Sequence, residues 1–346
     1  MIKAGIIGAT GYAGQELVRL LYGHPEVKII KIISETHIDS KYSYVYRNFT
    51  GISQDSCTAL DYETIADGID VLFTSLPYGV LMEKLNDDIL NNVKVIDLGV
   101  DYRLMNSMEY KQYYGKDHKS IHLSSRFTYG LSEWNENDIQ TAENIANPGC
   151  FATAIQLALL PLVKEKIISP DDVIVDGKCA LSGSGRTLTL GTHFVEANES
   201  VKPYKITNHP HKIEAQKAIE YFTHEQVKLT FVPHIVPMQR GILVTCYTNP
   251  IMTIDHEFIR DIYEKYYHCK QFVQILDRGM YVETKWVRNS NMCHINFEVD
   301  EQDNSLIIFA AIDNLIKGAA GQAIQNLNIM NGFPQDMAIN YVPTCI

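Results

Sequence analysis

Ile2-Lys3-Ala4-Gly5-Ile6-Ile7-Gly8-Ala9-Thr10-Gly11-Tyr12-Ala13-Gly14 is the stretch from which the architecture follows. Residues 2–7 read as a short buried strand, and Leu17, Val18, Leu20 and Leu21 recur beyond Gly14 at helical spacing. A glycine-rich turn between strand and helix lets backbone close on a pyrophosphate at the helix N-terminus, where N–H groups are unpaired and the dipole is positive. The spacing here is G-x-x-G-x-x-G, one residue longer between the first two glycines than the usual dinucleotide fingerprint, so the strand-before, helix-after context carries the reading. The helix should stop at Gly23-His24-Pro25. Apolar runs at 27–33, 71–75 and 93–98 then alternate with helix-like segments, the rhythm of a parallel sheet. The expected fold is α/β, with an N-terminal Rossmann-type dinucleotide-binding domain.

About 20 residues past the loop lies Ser34-Glu35-Thr36, where an NAD enzyme commonly directs an acidic residue at the ribose 2′-hydroxyl. Ser34 at the strand end, with Lys41 close behind, suits a 2′-phosphate instead, which favours NADP. Glu35 would repel that phosphate if it, rather than Ser34, faced the ribose.

The pattern changes after residue 150. Val173-Ile174-Val175 leads towards Leu181-Ser182-Gly183-Ser184-Gly185-Arg186, whose glycines and hydroxyls suit either an anion-binding or nicotinamide-facing loop or a plain flexible connection. Residues 229–232, 242–247, 272–276, 293–299 and 306–312 read as strands with few helices between them. This half is therefore expected to be an α+β domain with a mainly antiparallel sheet. The segment 315–330 is helical in pattern and rich in small residues, which permits close packing onto the first domain. The expected division is 1–149 with 314–346 as the NADP-binding domain and 150–313 as the catalytic and oligomerisation domain.

Composition narrows the class. A chain of 346 residues, 46% hydrophobic and 21% charged, has room for two cores and is ordinary for a soluble protein. No run approaches the roughly 18 apolar residues of a membrane-spanning helix, and residue 2 enters a strand-like run without a signal-peptide pattern, so a cytoplasmic protein is expected. Seven scattered cysteines without a C-x-x-C pair support neither a disulfide framework nor a metal site. A net charge of -11 argues against nucleic-acid partners, though not against a local basic pocket for a phosphorylated small molecule.

The chemistry centres on Ala146-Asn147-Pro148-Gly149-Cys150-Phe151. An apolar run of helical spacing follows, with no breaker before Pro161, so Cys150 falls in a first helical turn. There the unpaired N–H groups and the dipole bring a cysteine pKa from about 8.5 to between roughly 3.5 and 7.5. A thiolate near a nicotinamide suits acyl or aldehyde redox chemistry through a thioester, which needs a proton donor and groups to bind the leaving group. His209-Pro210-His211, with Glu214 three residues on, supplies two imidazoles at a helix start and a carboxylate spaced to orient one of them. Either histidine can be the acid on this reading. His234, flanked by apolar residues, reads as structural. Arg103, after the fourth strand, sits where a guanidinium binds phosphate bidentately.

Six segments in order give the chain a resemblance to the N-acetyl-γ-glutamyl-phosphate reductases of arginine biosynthesis, related in fold to aspartate-semialdehyde dehydrogenase and, more distantly, to glyceraldehyde-3-phosphate dehydrogenase. They are Gly-Ala-Thr-Gly-Tyr at 8–12, Val-Ile-Asp-Leu-Gly-Val-Asp-Tyr-Arg-Leu at 95–104, Ala-Asn-Pro-Gly-Cys at 146–150, Ser-Gly-Ser-Gly-Arg at 182–186, Val-Pro-His-Ile-Val-Pro-Met-Gln-Arg-Gly at 232–241 and Ile-Asp-Asn-Leu-Ile-Lys-Gly-Ala-Ala-Gly-Gln-Ala at 312–323. The histidine segment departs from the family, with Ile213 for a usual proline and Pro210 at a position more often basic.

The resemblance implies Cys150 as nucleophile, Arg103 on the phosphate, Ser182 and Gly183 near the cofactor and Asn314 at its nicotinamide end. It implies Glu196, Tyr204 and Arg240 at the acetyl-amino or carboxylate end of the substrate. With Gly8, Thr10, Gly11, Tyr12, Gly14, Ser34 and Lys41 holding NADP(H), the implied reaction is NADPH-dependent reduction of an acyl phosphate, in a homodimer or homotetramer. Alternatives within the class are aspartyl or aminoadipyl phosphate as substrate. A non-catalytic NADP-binding regulator, or a redox sensor, which needs a resolving cysteine, stands outside it.

Overall fold

Strands β1 (Ile2–Ile7), β2 (Val27–Ile33), β3 (Val71–Thr74), β4 (Lys94–Asp97), β5 (Phe127–Tyr129) and β6 (Asn144–Ala146) form one sheet in the order β2-β1-β3-β4-β6-β5. Every neighbouring pair is parallel. The structure, a computed structural model, describes residues 1–345. It divides into two compact units, Met1–Asn147 with Ala320–Ile339, and Pro148–Ala319 with the residues from Asn340 on.

In the first unit, helix Tyr12–Tyr22 buries Leu17, Val18, Leu20 and Leu21 and ends at Gly23, as its pattern predicts. Removing four such side chains from water stabilises the unit by about 1.5–3 kcal/mol each before the entropy of ordering is set against it. Val71, Leu72 and Phe73 are all buried, the continuous apolar run expected of a strand covered on both faces. Strands β5 and β6 have three residues each and carry no pattern long enough to read from sequence.

The second unit holds β7 (Val173–Ala180), β8 (Lys202–Pro203), β9 (Leu229–Val236), β10 (Ile242–Thr248), β11 (Val273–Ile275), β12 (Cys293–Asp300) and β13 (Ser305–Ile312), ordered β11-β12-β13-β10-β7-β9-β8. Pairings β12–β13, β13–β10, β10–β7 and β9–β8 are antiparallel. Pairings β11–β12 and β7–β9 are parallel. The sheet is thus mixed and mainly antiparallel. Helix Pro210–Thr223 lies in the connection between parallel strands β7 and β9.

Helix Cys150–Lys164 contacts β10, β13 and helix Pro210–Thr223, and buries every residue from Phe151 to Val163. It runs through Pro161, which has no N–H to offer the Leu157 carbonyl. The Tyr267 hydroxyl donates to that carbonyl at 2.7 Å, and the Tyr263 hydroxyl to the Ala158 carbonyl at 2.6 Å. Tyr267 of helix His256–Tyr267 therefore supplies the donor that the proline removes, and Tyr263 adds one to the next carbonyl.

Three stretches group differently from expectation, the first being Pro148 and Gly149, which belong to the second unit. Residues 314–319 belong to the second unit rather than the nucleotide-binding one, because Asn314 accepts from Gly241 N at 2.8 Å and Asp313 from the N–H groups of Leu315 and Ile316. The residues from Asn340 on also belong there, with Asn289 Nδ2 donating to Thr344 Oγ1 at 2.6 Å. Among the described residues no helix is long and apolar enough to cross a membrane.

Candidate active site

In the first unit the glycine turn is built for close backbone approach. Gly8 has φ +76°, and a Cβ there would lie 2.2 Å from the Ser75 carbonyl oxygen; one on Gly14 would lie 2.2 Å from the Gly8 carbonyl oxygen. Both positions require glycine. Gly11 caps the helix without a side-chain hydrogen bond, so the first-turn N–H groups beginning at Tyr12 face outward for an anion. The hydroxyls of Tyr42 and Tyr46 donate to the carbonyls of Ala9 and Thr10, both at 2.9 Å, and pin the turn from below.

Ser34 is 3% exposed, and its hydroxyl pairs with that of Thr10 at 2.7 Å. It braces the turn, so the polar end directed outward in this region is the exposed Lys41. Lys41 Nζ and the Arg47 guanidinium lie 5.9 and 5.3 Å from the ring centre of Tyr44, itself 63% exposed. Glu35 is turned to the Leu60 N–H, from which its Oε1 accepts at 2.9 Å. Arg103 donates through Nη2 to the Leu98 carbonyl at 2.8 Å, and its charge acts on Asp97. Burial pushes the Asp97 carboxyl up to about 6, against hydrogen bonds from Thr74 and Gly99 and the Arg103 charge.

In the second unit Cys150 opens its helix, with Gly149 as a cap lacking a side chain. The Glu214 carboxylate accepts from Gly149 N at 2.7 Å and is 1% exposed. Glu214 was expected to orient an imidazole; it anchors the turn that delivers the cysteine instead. A Cβ on Gly318 would lie 2.6 Å from Cys150 Cβ, so backbone closes over the cysteine on that side.

The Cys150 thiol is partly exposed, and its pKa is held well below the usual range. The largest cause is a hydrogen bond from the Cys179 thiol, followed by one from His211 with its charge and one from the Phe151 N–H, all against the penalty of burial. Cys179 is driven the opposite way, well above the usual range, by its bond to Cys150, by burial and by the neighbouring charge. Within the pair, negative charge is therefore favoured on Cys150 over Cys179. Cys179 escaped the sequence reading because the apolar run at 173–175 shows only the start of a strand that continues to Ala180.

The histidines separate in role. His209 caps helix Pro210–Thr223, its Nδ1 accepting from His211 N at 3.2 Å, with Pro210 pre-set for the first helical position. Its ring is packed edge-on against Phe151, Tyr204, His211 and Phe231 at 4.8–5.8 Å. Burial, with lesser repulsion from His211 and Lys205, pushes its pKa down to about 2, so it is neutral. His211 faces the Cys150 sulfur.

The remaining expected residues divide. Asn314 donates to Ser182 Oγ at 3.0 Å, and a Cβ on Gly183 would lie 2.7 Å from Cys179 Sγ, so all three stand beside the cysteine pair. Tyr204 stands against His209 with ring centres 5.4 Å apart, and burial with the charges of Cys179 and Cys150 raises its pKa. Arg240, expected at the substrate, holds Asp313 bidentately at 2.9 and 3.1 Å; Asp313 is fully buried, and the pair fastens the start of β10. Glu196 is exposed on the four-residue helix Phe194–Ala197 and makes no hydrogen bond to the cysteine–histidine cluster. Among the described residues no group of His, Cys, Asp or Glu is arranged to hold a metal ion.

Two family models match successive parts of the chain. Residues 3–142 match the family model described as semialdehyde dehydrogenase, NAD binding domain, and residues 150–314 match semialdehyde dehydrogenase, dimerisation domain. The chain is 44% identical over 343 residues to an N-acetyl-gamma-glutamyl-phosphate reductase of Lachnoclostridium phytofermentans, covering 99% of each. It is 41% identical over 345 residues to that of Moorella thermoacetica, covering 100% of each. In fold it is similar to aspartate semialdehyde dehydrogenase II of Vibrio cholerae, with a TM-score of 0.73 at 15% identity over 96% of this chain and 98% of the other. The aspartate semialdehyde dehydrogenase of Candida albicans, solved with NADP, gives 0.69 at 18% identity over 96% and 98%.

Proposed function

We propose that Cys150 is the acyl-accepting nucleophile of this chain, which belongs to the N-acetyl-γ-glutamyl-phosphate reductases within the semialdehyde dehydrogenase family. The reaction is reduction of N-acetyl-L-glutamyl 5-phosphate to N-acetyl-L-glutamate 5-semialdehyde with release of phosphate, a step of arginine biosynthesis. The observation that carries it is a cysteine at a helix entrance, with Cys179, His211 and the Phe151 N–H arranged to lower its pKa.

The thiolate attacks the acyl carbon, the carbon–oxygen bond to phosphate breaks, and a thioester forms on Cys150 as phosphate leaves with the electron pair; Arg103 is the guanidinium proposed to bind that phosphate. NADPH, when bound, supplies the hydride that reduces this thioester. His211 gives its proton to the carbonyl oxygen as charge develops there and takes it back as the carbon–sulfur bond breaks. His209 cannot be that acid, since it stays neutral far below the working pH and its Nδ1 already accepts a backbone N–H. It positions His211. Tyr204, beside the histidine pair, is the substrate contact best supported of Glu196, Tyr204 and Arg240.

Gly8, Gly11 and Gly14, with Thr10 and Tyr12, would hold the pyrophosphate, since a Cβ would fill the cradle at two of these positions. Lys41 would meet a 2′-phosphate, with Ser34 bracing Thr10 and Glu35 turned aside to Leu60, which favours NADP. Ser182, Gly183 and Asn314 would face the nicotinamide end. The protein works as a homodimer or homotetramer assembled through its second unit. Supplying N-acetylglutamate 5-semialdehyde with phosphate and either nucleotide tests this reading. Expected is phosphate-dependent reduction of NADP, faster than of NAD; faster turnover of aspartate semialdehyde, or no need for phosphate, would contradict it.

A further inference from the structure

We infer that Cys150 and Cys179 form a redox modification site, at which a hydroperoxide oxidises Cys150 and Cys179 then closes a reversible disulfide. The geometry begins with strand β7. Gly177 leaves room for the Phe151 ring, since a Cβ there would lie 2.5 Å from it, so the start of helix Cys150–Lys164 rests directly on this strand. Two residues along, on the same face, Cys179 meets Cys150, and the two side chains are hydrogen-bonded. Cys179 is held in the sheet interior between Ile242 of β10 and Ile235 of β9. Backbone at Gly318 and Gly183 closes against Cys150 and Cys179 in turn. The sulfurs are brought together by elements packed too tightly to part.

The two thiols have complementary properties. Cys150 is the partly exposed member and the one whose pKa is lowered, which makes it the cysteine that a small oxidant reaches. Cys179 is 3% exposed and protonated, and its S–H also lies 3.4 Å from the Ala180 carbonyl oxygen. It is shielded from oxidants and poised beside the product of the first step. The other free cysteines do not share this setting: Cys57, Cys246 and Cys293 are buried, Cys269 and Cys345 exposed, and burial pushes Cys57 up and Cys246 to about 12.

In the first step the Cys150 thiolate attacks a peroxide oxygen. A sulfur–oxygen bond forms, the oxygen–oxygen bond breaks, and hydroxide (or alkoxide) leaves with the electron pair; Cys150 is then a sulfenic acid. The charge that held the Cys179 proton in place is gone. The Cys179 sulfur attacks the Cys150 sulfur, the sulfur–oxygen bond breaks, and the thiol proton leaves with the hydroxyl group as water. Both sulfurs are oxidised by one electron each, and the peroxide takes up the two electrons. A dithiol reductant reverses the change. The disulfide blocks acyl transfer and spares Cys150 from irreversible oxidation to a sulfinic acid.

Loss of turnover on oxidation rests on Cys150 being the nucleophile; formation of the bond does not. The test treats the native full-length chain with hydrogen peroxide, alkylates remaining thiols, and reads intact mass, cysteine-linked peptides and activity before and after dithiothreitol. Expected is a mass lower by two hydrogens, a single linked peptide pair containing Cys150 and Cys179, and activity that falls with the bond and returns on reduction. In Cys179→Ser, followed by mass alone, Cys150 should gain two oxygens that dithiothreitol does not remove. Native protein that gains oxygen on Cys150 without the link, or that links other cysteines, overturns the inference. A Cys150–Cys179 link that leaves turnover intact would uphold it and overturn the nucleophile instead.

Discussion

His209 and His211 are two residues apart and carry opposite duties because one is enclosed by rings and the other faces a sulfur. His211→Gln should therefore lower turnover about 10²–10⁴-fold, the range for losing a general acid. His209→Asn, which keeps a capping oxygen, should lower it far less in the same steady-state assay. Stability separates them further. An unfolded histidine titrates near 6.5, whereas folded His209 stays neutral down to about 2. The unfolded chain thus takes up a proton that the folded one refuses; this stability is full above about 6.5 and lost as pH falls. Between pH 6.5 and 5 the native chain should lose about 1.5 kcal/mol relative to His209→Asn by denaturant titration. Asp97 acts with the opposite sign, its contribution fading as pH rises through about 6, and it cancels in the comparison. Cysteine 150 was legible from Asn-Pro-Gly before a helix, but the pairing with Cys179 depends on a strand meeting a helix 29 positions earlier in the chain, which no local pattern encodes.

The turn that delivers Cys150 depends on a carboxylate from another helix. Glu214→Ala leaves the buried Gly149 N–H without its acceptor, at a cost of about 1–3 kcal/mol, while Glu214→Gln retains an accepting oxygen and should recover most of it in thermal unfolding. Gly14→Ala should be worse for the first unit, since its methyl would press on the Gly8 carbonyl at 2.2 Å; nucleotide affinity should fall with it, as read by fluorescence titration. The first helix and strands β1 to β4 were legible because apolar period and glycine punctuation agree in them. The apolar run at 173–175 shows only the start of strand β7, which continues to Ala180 through Gly177, where the Phe151 ring takes the place of a side chain. Likewise, Pro161 reads as a stop until Tyr267 is found donating to the one carbonyl it leaves without a helical donor.

Assembly should follow from the face of the second sheet where Ile174, Tyr247 and Ile307 stand in one cross-strand row over β7, β10 and β13. Ile174 and Tyr247 are each 42% exposed, an apolar row of the kind that a second copy covers in a chain carrying a dimerisation domain. Light scattering should find the native chain as a dimer or tetramer and Tyr247→Glu as a smaller species that still binds nucleotide through its first unit. A Tyr247→Glu chain of native size would move the interface elsewhere. A division into two units was legible from the change of pattern at residue 150, but not the placing of 314–319, which is set by hydrogen bonds of Asp313 and Asn314. Covalent catalysis at Cys150, as proposed, accounts for these observations together. Mixing the enzyme with N-acetylglutamate 5-semialdehyde and NADP without phosphate, then quenching for mass analysis, should give about one NADPH per chain in a burst. It should also leave an N-acetylglutamyl group on the Cys150 peptide, released by added phosphate. A burst without the adduct, or an adduct on any other residue, would contradict it.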